Sequence, residues 1–168
     1  RAGKKVHHET DLGFGGASLS WAAVAMAEQV LGTLKEKSVL IIGAGKMSEL
    51  TVESIRKKGV QEIFVMNRTQ SCAEALAARC SGKTAAFLDM KDILSKVDVC
   101  ICSVGAPHYI LEKETVEQIM ALRKERKLVF IDISMPRNID PQAAAVSNTL
   151  LFCIDDLDKV VKDNMKKR

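Results

Sequence analysis

The chain alternates between short, mostly apolar runs and longer segments in which apolar residues recur every three or four positions. Short apolar runs are typical of strands buried on both faces of a parallel sheet. They occupy residues 38–42, 62–66, 97–102, 127–132 and 150–154. Strand and helix patterns in alternation predict a three-layer α/β domain with a doubly wound parallel sheet.

Helical patterns fill the gaps between these runs. Helices are predicted over residues 18–34, 46–59, 71–80 and 113–122 and from residue 155 onwards, with a short strand at 84–87 and a short helix after it. Ser18 is the predicted N-cap of the first helix, and Ser71 with Glu74 forms a capping-box pattern for the third. Residues 1–16 show no helix or strand pattern and are expected to form an arm.

A glycine-rich turn follows the first strand and opens the next helix. Its residues are Gly43, Ala44, Gly45, Lys46, Met47 and Ser48. Glycine leaves no Cβ between an anion and the backbone N–H groups at a helix N-terminus, so the turn predicts a site for a dinucleotide pyrophosphate. Ser48 stands where the G-x-G-x-x-G pattern has its third glycine, so we expect the helix to pack slightly less closely on its strand.

The second strand is followed by Asn67, Arg68 and Thr69. An NAD-preferring fold usually has an acidic residue here, about 20 residues past the glycines, for the ribose 2′-hydroxyl. Arg68 could instead hold a 2′-phosphate through charge-assisted hydrogen bonds, with Asn67 and Thr69 as neutral donors. The sequence therefore predicts NADPH as the cofactor, the alternative being an exposed arginine without a ligand.

The strand at 97–102 leads into a loop of small residues that begins with Ser103. Loops at the carboxyl ends of parallel strands line the ligand crevice, so this loop is predicted to lie under the cofactor; a plain turn is the alternative. His108 in the same loop could act as an acid or base, or could be a loop residue without a chemical role.

Composition is that of a globular domain. The 168 residues are 47% hydrophobic and 27% charged, with a formal charge of +4, and no apolar run approaches the roughly 20 residues that cross a bilayer. The basic runs at 123–127 and 166–168 are interpreted as solvated helix ends. We expect a cytoplasmic protein without a leader peptide or membrane segment.

Metal and disulfide chemistry receive little support. The side chains of His7, His8, Glu9 and Asp11, near the N-terminus, could in principle bind an ion. Neighbouring residues on an irregular segment rarely converge on one ion, so an arm packed on the molecule is favoured and no metal site is predicted. The five cysteines contain no C-x-x-C pair and are interpreted as buried thiols of a reducing compartment. The single tryptophan, Trp21, is interpreted as a packing anchor.

Taken in order, several segments resemble the NADP-binding portion of glutamyl-tRNA reductases. The matching segments are residues 3–10, 16–20, 43–50, 67–69, 132–141 and 154–157. The resemblance covers essentially the whole chain. It implies a Rossmann-type fold, NADPH as the cofactor, and an enzyme family that begins tetrapyrrole (porphyrin) synthesis.

The resemblance also implies a reaction and partners. In that family a cysteine attacks the ester of glutamyl-tRNA(Glu), and hydride from NADPH reduces the resulting thioester to glutamate-1-semialdehyde. The nucleophile lies in a Thr-Cys-Asn-Arg motif of a catalytic domain, and this sequence has only Met66-Asn67-Arg68-Thr69. No catalytic residue is therefore predicted in this chain, which we expect to bind the cofactor without catalysing the reaction.

The family organisation implies three parts for the sequence. Residues 1–34 are the arm and alanine-rich packing helix at the connection to the catalytic domain, residues 35–154 the NADP-binding domain, and residues 155–168 the start of a long helix leading to a dimerisation domain of a homodimer. Two alternatives stay open: a shikimate dehydrogenase-like NADP oxidoreductase domain, and a non-catalytic nucleotide-binding or protein-binding module.

Overall fold

The computed structural model of the chain describes residues 2–166, with side chains described from Gly16 onward. Six parallel strands form one sheet in the order β3-β2-β1-β4-β5-β6. They are β1 Ser38–Ile42, β2 Glu62–Met66, β3 Lys83–Thr84, β4 Val99–Cys102, β5 Leu128–Asp132 and β6 Thr149–Cys153. This order confirms the predicted doubly wound, Rossmann-type fold.

Helices cover both faces of the sheet. They are α1 Ala2–Leu31, α2 Lys46–Arg56, α3 Gln70–Cys80, α4 Met90–Leu94, α5 Lys113–Leu122 and α6 Ile154–Lys166, with 3-10 turns at Phe87–Asp89 and Pro141–Ala145. Alternate residues of β1 serve the two layers: Val39 and Ile41 pack with α1, α2, α3 and α6, whereas Leu40 and Ile42 pack with α4 and α5. Strands buried on both faces explain the apolar runs of the sequence.

The first helix corrects two predictions. An irregular arm was expected over residues 1–16, with Ser18 as an N-cap, but α1 begins at Ala2 and Ser18 lies in its interior. Gly16 lies against α2, where a Cβ would stand 3.4 Å from Met47 Sδ. Close helix–helix packing at that glycine offsets its low helix propensity, which the sequence pattern alone could not reveal. The helix was predicted to end at residue 34 but ends at Leu31, and Gly32 directly after it has φ +84°.

Two smaller boundaries also differ. Helix α3 begins at Gln70 with Thr69 as its N-cap and no side-chain cap bond, so the capping box predicted at Ser71 is wrong. Strand β3 is only two residues long, because the chain turns into the 3-10 turn that starts at Phe87. The predictions for β1, β2 and α5 are confirmed. Among residues 2–166, no helix has the length and apolar character needed to span a bilayer.

Candidate functional site

The predicted site residues lie at the carboxyl ends of three neighbouring strands. Ile42, the last residue of β1, is in register with the last residues of β2 and β4. Gly43, Asn67 and Ser103 are thus the next residues of three adjacent strands. The strand order reverses between β1 and β4, and open α/β sheets bind ligands at this switch point. The structure brings together the turn 43–48, the segment 67–69 and Ser103; their part in binding stays a prediction.

Gly43 makes the sharp exit from β1. Its φ is +115°, and a Cβ there would lie 2.5 Å from the carbonyl oxygen of Ser103. Its N–H donates to the carbonyl oxygen of Met66 at 2.8 Å. Backbone on both sides and a left-handed φ together require glycine at this position.

Gly45 is different, because the protein itself does not require it to be glycine. It is the N-cap of α2 with φ −89°, and no described atom lies within 4 Å of the position that its Cβ would take. None of the described side chains caps the first turn of α2, so the N–H groups of that turn have no side-chain acceptor. Ala44, Lys46 and Met47 are exposed or half-buried around it. The arrangement leaves room for an anion directly against the backbone.

Ser48 lies beneath the turn. Only 1% of its surface is exposed, and its Oγ would stand 3.4 Å from a Cβ on Gly43. Among the described residues its hydroxyl finds no hydrogen-bond partner. The third-glycine position therefore accepts a small side chain at the cost of a buried, unbonded hydroxyl.

The segment after β2 presents Arg68 to solvent. The side chain of Asn67 bridges the segment, with Nδ2 donating to the carbonyl oxygen of Thr69 at 3.2 Å. Arg68 is exposed, and none of the described side chains forms an ion pair with it. Its guanidinium is thus available to a ligand beside the glycine turn.

A cavity of about 430 Å³ opens beside Arg68. Its lining comes from the segments that follow β2, β3 and β4 and includes Asn67, Phe87, Met90, Val104 and His108. A volume of this size, lined by both apolar and polar side chains, lies within the range of small-molecule sites. Two interpretations of His108 were left open by the sequence, and the structure places this residue on the wall of the cavity.

Two buried polar residues near the site were not predicted to have a role. Asp132 ends the apolar strand β5 and Asn138 lies in the loop after it, and both are fully buried. Their side chains hold the loops after β4 and β5 together. The available signal was an acidic residue ending an otherwise apolar strand, because such a carboxylate must find donors nearby.

Two of the cysteines, Cys100 and Cys102, lie buried in β4. Burial raises the pKa of Cys100 well above its usual range, and burial, with the neighbouring Asp132 carboxylate, raises the pKa of Cys102 to about 12. Both are thus neutral thiols at pH 7. All five cysteines are free, but Cys72 is exposed, so the expectation of buried thiols is wrong there.

Metal ligation finds no support among the described side chains. None of them forms a group of three or more His, Cys, Asp or Glu that could hold an ion. The residues His7, His8, Glu9 and Asp11 lie outside the described side chains.

Comparison with known proteins places the chain in a family. Residues 25–160 match the family described as shikimate / quinate 5-dehydrogenase. The sequence is 40% identical to a glutamyl-tRNA reductase of Thermodesulfovibrio yellowstonii over 165 residues, which are 98% of this chain and 38% of that protein. The chain thus spans little more than a third of the length of such relatives.

Solved structures agree. A glutamyl-tRNA reductase from Methanopyrus kandleri superposes with a TM-score of 0.83 at 31% identity, over 89% of this chain and 38% of that one. The nucleotide-binding domain of a glutamyl-tRNA reductase from Thermoplasma volcanium has a TM-score of 0.67 over 87% of this chain and 95% of that one; at 16% identity it supports the fold alone. The resemblance predicted from the sequence is confirmed. The chain therefore belongs to the shikimate / quinate 5-dehydrogenase family and, over nearly its whole length, is similar to the glutamyl-tRNA reductases.

Proposed function

We propose that this chain binds NADPH and is the cofactor-binding part of a glutamyl-tRNA reductase. The observation that carries the proposal is the open space at Gly45, above the uncapped first turn of α2. Backbone N–H groups and the positive end of the helix dipole meet there, and an anionic pyrophosphate is the group that such a space accommodates. The backbone of Ser103 lies directly against Gly43, so Ser103 is proposed to line the same space.

Arg68 is the proposed determinant of cofactor choice. It stands at the carboxyl end of β2, on the side of the turn where the ribose of a bound dinucleotide lies in this fold. An exposed guanidinium with no described ion-pair partner can hold a 2′-phosphate by charge-assisted bonds, with Asn67 and Thr69 beside it. An acidic residue in its place would favour NADH.

In the longer enzyme that the relatives suggest, NADPH supplies hydride to reduce the thioester made from glutamyl-tRNA(Glu), giving glutamate-1-semialdehyde for tetrapyrrole (porphyrin) biosynthesis. The residues of this chain bind and orient the cofactor, while the nucleophile, the tRNA contacts and the homodimer interface belong to other parts of that enzyme. Residues 1–34, 35–154 and 155–168 keep their proposed roles as connection, cofactor domain and outgoing helix. A cytoplasmic location fits this function.

A titration of the chain with NADPH and NADH tests the cofactor assignment. Replacing Arg68 by Ala should lower the affinity for NADPH by about 10- to 150-fold, or ~1.5–3 kcal/mol, and leave the affinity for NADH unchanged. Arg126→Ala is the matched control, because Arg126 bonds to Lys96 and Asp98 at the amino-terminal side of the sheet. Equal affinities of both cofactors before and after the Arg68 change would refute the assignment.

A second candidate is an NADP-dependent oxidoreductase domain of the shikimate dehydrogenase type, favoured by the family match over residues 25–160. Assays of the full-length protein separate the two. Formation of a semialdehyde from glutamyl-tRNA with NADPH supports the reductase, whereas NADP⁺-dependent oxidation of shikimate supports the second candidate.

A further inference from the structure

Asn138 joins the loop after β5 to the loop after β4. Its side chain is fully buried between them. Asn138 Oδ1 accepts a hydrogen bond from the N–H of Gly105 at 2.7 Å, while Nδ2 donates to the carbonyl oxygens of Ala106 at 2.9 Å and His108 at 3.2 Å. One side chain thus uses both an acceptor and a two-hydrogen donor to shape the neighbouring loop.

The backbone of Asn138 continues the same connection. Its carbonyl oxygen accepts hydrogen bonds from the N–H groups of Ile110 at 2.6 Å and Leu111 at 3.1 Å. The segment from Gly105 to Leu111, which follows β4, is therefore held by hydrogen bonds to a single residue of another loop.

Asp132 in turn fixes Asn138. Its buried Oδ2 accepts hydrogen bonds from the backbone N–H groups of Asn138 and Ile139, both at 2.9 Å. Its Oδ1 accepts one from the backbone N–H of Ser134 at 3.1 Å. The hydroxyl of Ser134 accepts from the N–H of Val104 at 3.2 Å, so the start of the β4 loop is held as well. A carboxylate that accepts several N–H bonds is stable in a buried position.

This connection matters because the loop it holds is one wall of the cavity. Val104, His108 and Tyr109 line that cavity opposite Asn67 and Arg68. Gly105 adopts φ +72°, and a Cβ there would stand 3.1 Å from the carbonyl oxygen of Met135, so the two loops also touch directly. The position of the wall therefore depends on a residue that does not itself line the cavity.

We propose that Asn138 is a positioning residue for dinucleotide binding: through Gly105, Ala106 and His108 it holds the β4 loop in the shape that the bound cofactor contacts. The proposal rests on the proposed function and adds a residue to it. Its effect reaches the whole cofactor through the wall of the site, whereas the effect of Arg68 is confined to the 2′-phosphate.

The test uses that difference. Asn138→Asp keeps the size of the side chain and one acceptor but loses the two N–H donors. The affinities for NADPH and NADH should both fall tenfold or more, by the same factor. Arg68→Ala should lower the affinity for NADPH alone. Hydrogen exchange at Gly105 and Ile110 should become faster in Asn138→Asp without ligand, which shows that the loop has been released.

Arg123→Lys is the control for a general loss of stability. Arg123 was expected in a solvated helix end but is buried at the opposite end of the sheet, where its guanidinium donates to the carbonyl oxygens of Leu94 and Val97. It should lower Tm and leave both dissociation constants within twofold. If Asn138→Asp does not fold, Gly105→Ala carries the same test, because it displaces the loop without burying a charge.

The outcomes separate the two proposals. Wild-type chain that binds neither dinucleotide overturns the proposed function and this one with it. If the wild-type chain binds the dinucleotides and a folded Asn138→Asp or Gly105→Ala variant binds them equally well, the role of Asn138 alone is overturned. If Asn138→Asp changes the ratio of the NADPH and NADH dissociation constants, the proposed role of Asn138 is also contradicted.

Discussion

The carbonyl oxygen of Ser103 lies 2.5 Å from the point at which a Cβ on Gly43 would stand. The N–H of Ser103 donates to the carbonyl oxygen of Ile42 at 2.9 Å, so this oxygen is fixed by the pairing of β4 with β1. The first glycine of the turn is thus required by the sheet itself, whereas the second glycine, Gly45, faces open space. The two glycines of one motif therefore serve different purposes.

Gly43→Ala should destabilise the fold. The added methyl group meets backbone that cannot move, and φ +115° is strained for alanine, so we expect a loss of about 3 kcal/mol. Urea unfolding measures it. Gly32→Ala is the control: Gly32 also has a positive φ, +84°, but no described atom lies within 4 Å of its Cβ position, so only about 1 kcal/mol of strain is expected. Equal losses in the two variants would contradict the role of Ser103.

Gly45→Ala should separate binding from stability. Its φ of −89° suits alanine and its Cβ meets no described atom, so stability should change by less than about 1 kcal/mol. The same methyl group would occupy the space proposed for the pyrophosphate, and NADPH affinity should fall at least tenfold. Calorimetric titration and a thermal melt measure the two effects. Unchanged affinity would show that the anion does not sit there.

Ser48→Ala should not destabilise the protein. The buried hydroxyl of Ser48 has no described partner, and removing it takes away an unpaired polar group, which should raise stability by up to ~1 kcal/mol. Thr51→Val in the same helix is the comparison, because the hydroxyl of Thr51 donates to the carbonyl oxygen of Met47 at 2.7 Å. Chemical denaturation of both variants checks the ranking. A loss in Ser48→Ala as large as that in Thr51→Val would show that the Ser48 hydroxyl is bonded.

Thiol reactivity should follow burial. At pH 8 a disulfide reagent should modify the exposed Cys72 quickly and leave Cys100 and Cys102 untouched until the chain is denatured. Rapid labelling of Cys102 in the folded chain would be inconsistent with its burial.

The raised pKa of Cys102, about 12 in the fold against 9.0 for a free thiol, also sets a pH effect. Between these values the unfolded chain loses a proton that the folded chain keeps. The contribution of Cys102 to stability is therefore complete below pH 9 and is lost as the pH rises toward 12. Denaturation of wild type and Cys102→Ala across that range measures the difference in slope.

Much of the fold was predictable because its signals are local. The apolar runs marked β1 and β2 at their observed bounds, and glycines at positions 43 and 45 marked the turn between β1 and α2. Arg68 was selected as a candidate because its distance from the glycines is a property of one β-α-β unit, and its part in binding stays a prediction. In each case the physical cause lies within a few residues of the chain.

The misses have non-local causes. Helix α1 continues through Gly16, where α2 packs against it, and no pattern within residues 1–16 indicates that neighbour. Asn138 looked like one residue of a loop, because its partners Gly105 and His108 are some 30 positions away. Loop-to-loop hydrogen bonds of this kind leave no periodicity in the sequence.

By itself, the sequence determined the alternation of strands and helices, the glycine turn and the arginine beside it, since backbone conformation and burial on two faces constrain residue types locally. The tertiary structure decided that protein contacts require glycine at position 43, whereas position 45 faces open space. It also decided that Asp132 and Asn138 hold the wall of the cavity, because buried polar groups must find partners wherever the fold brings them, however distant in the chain.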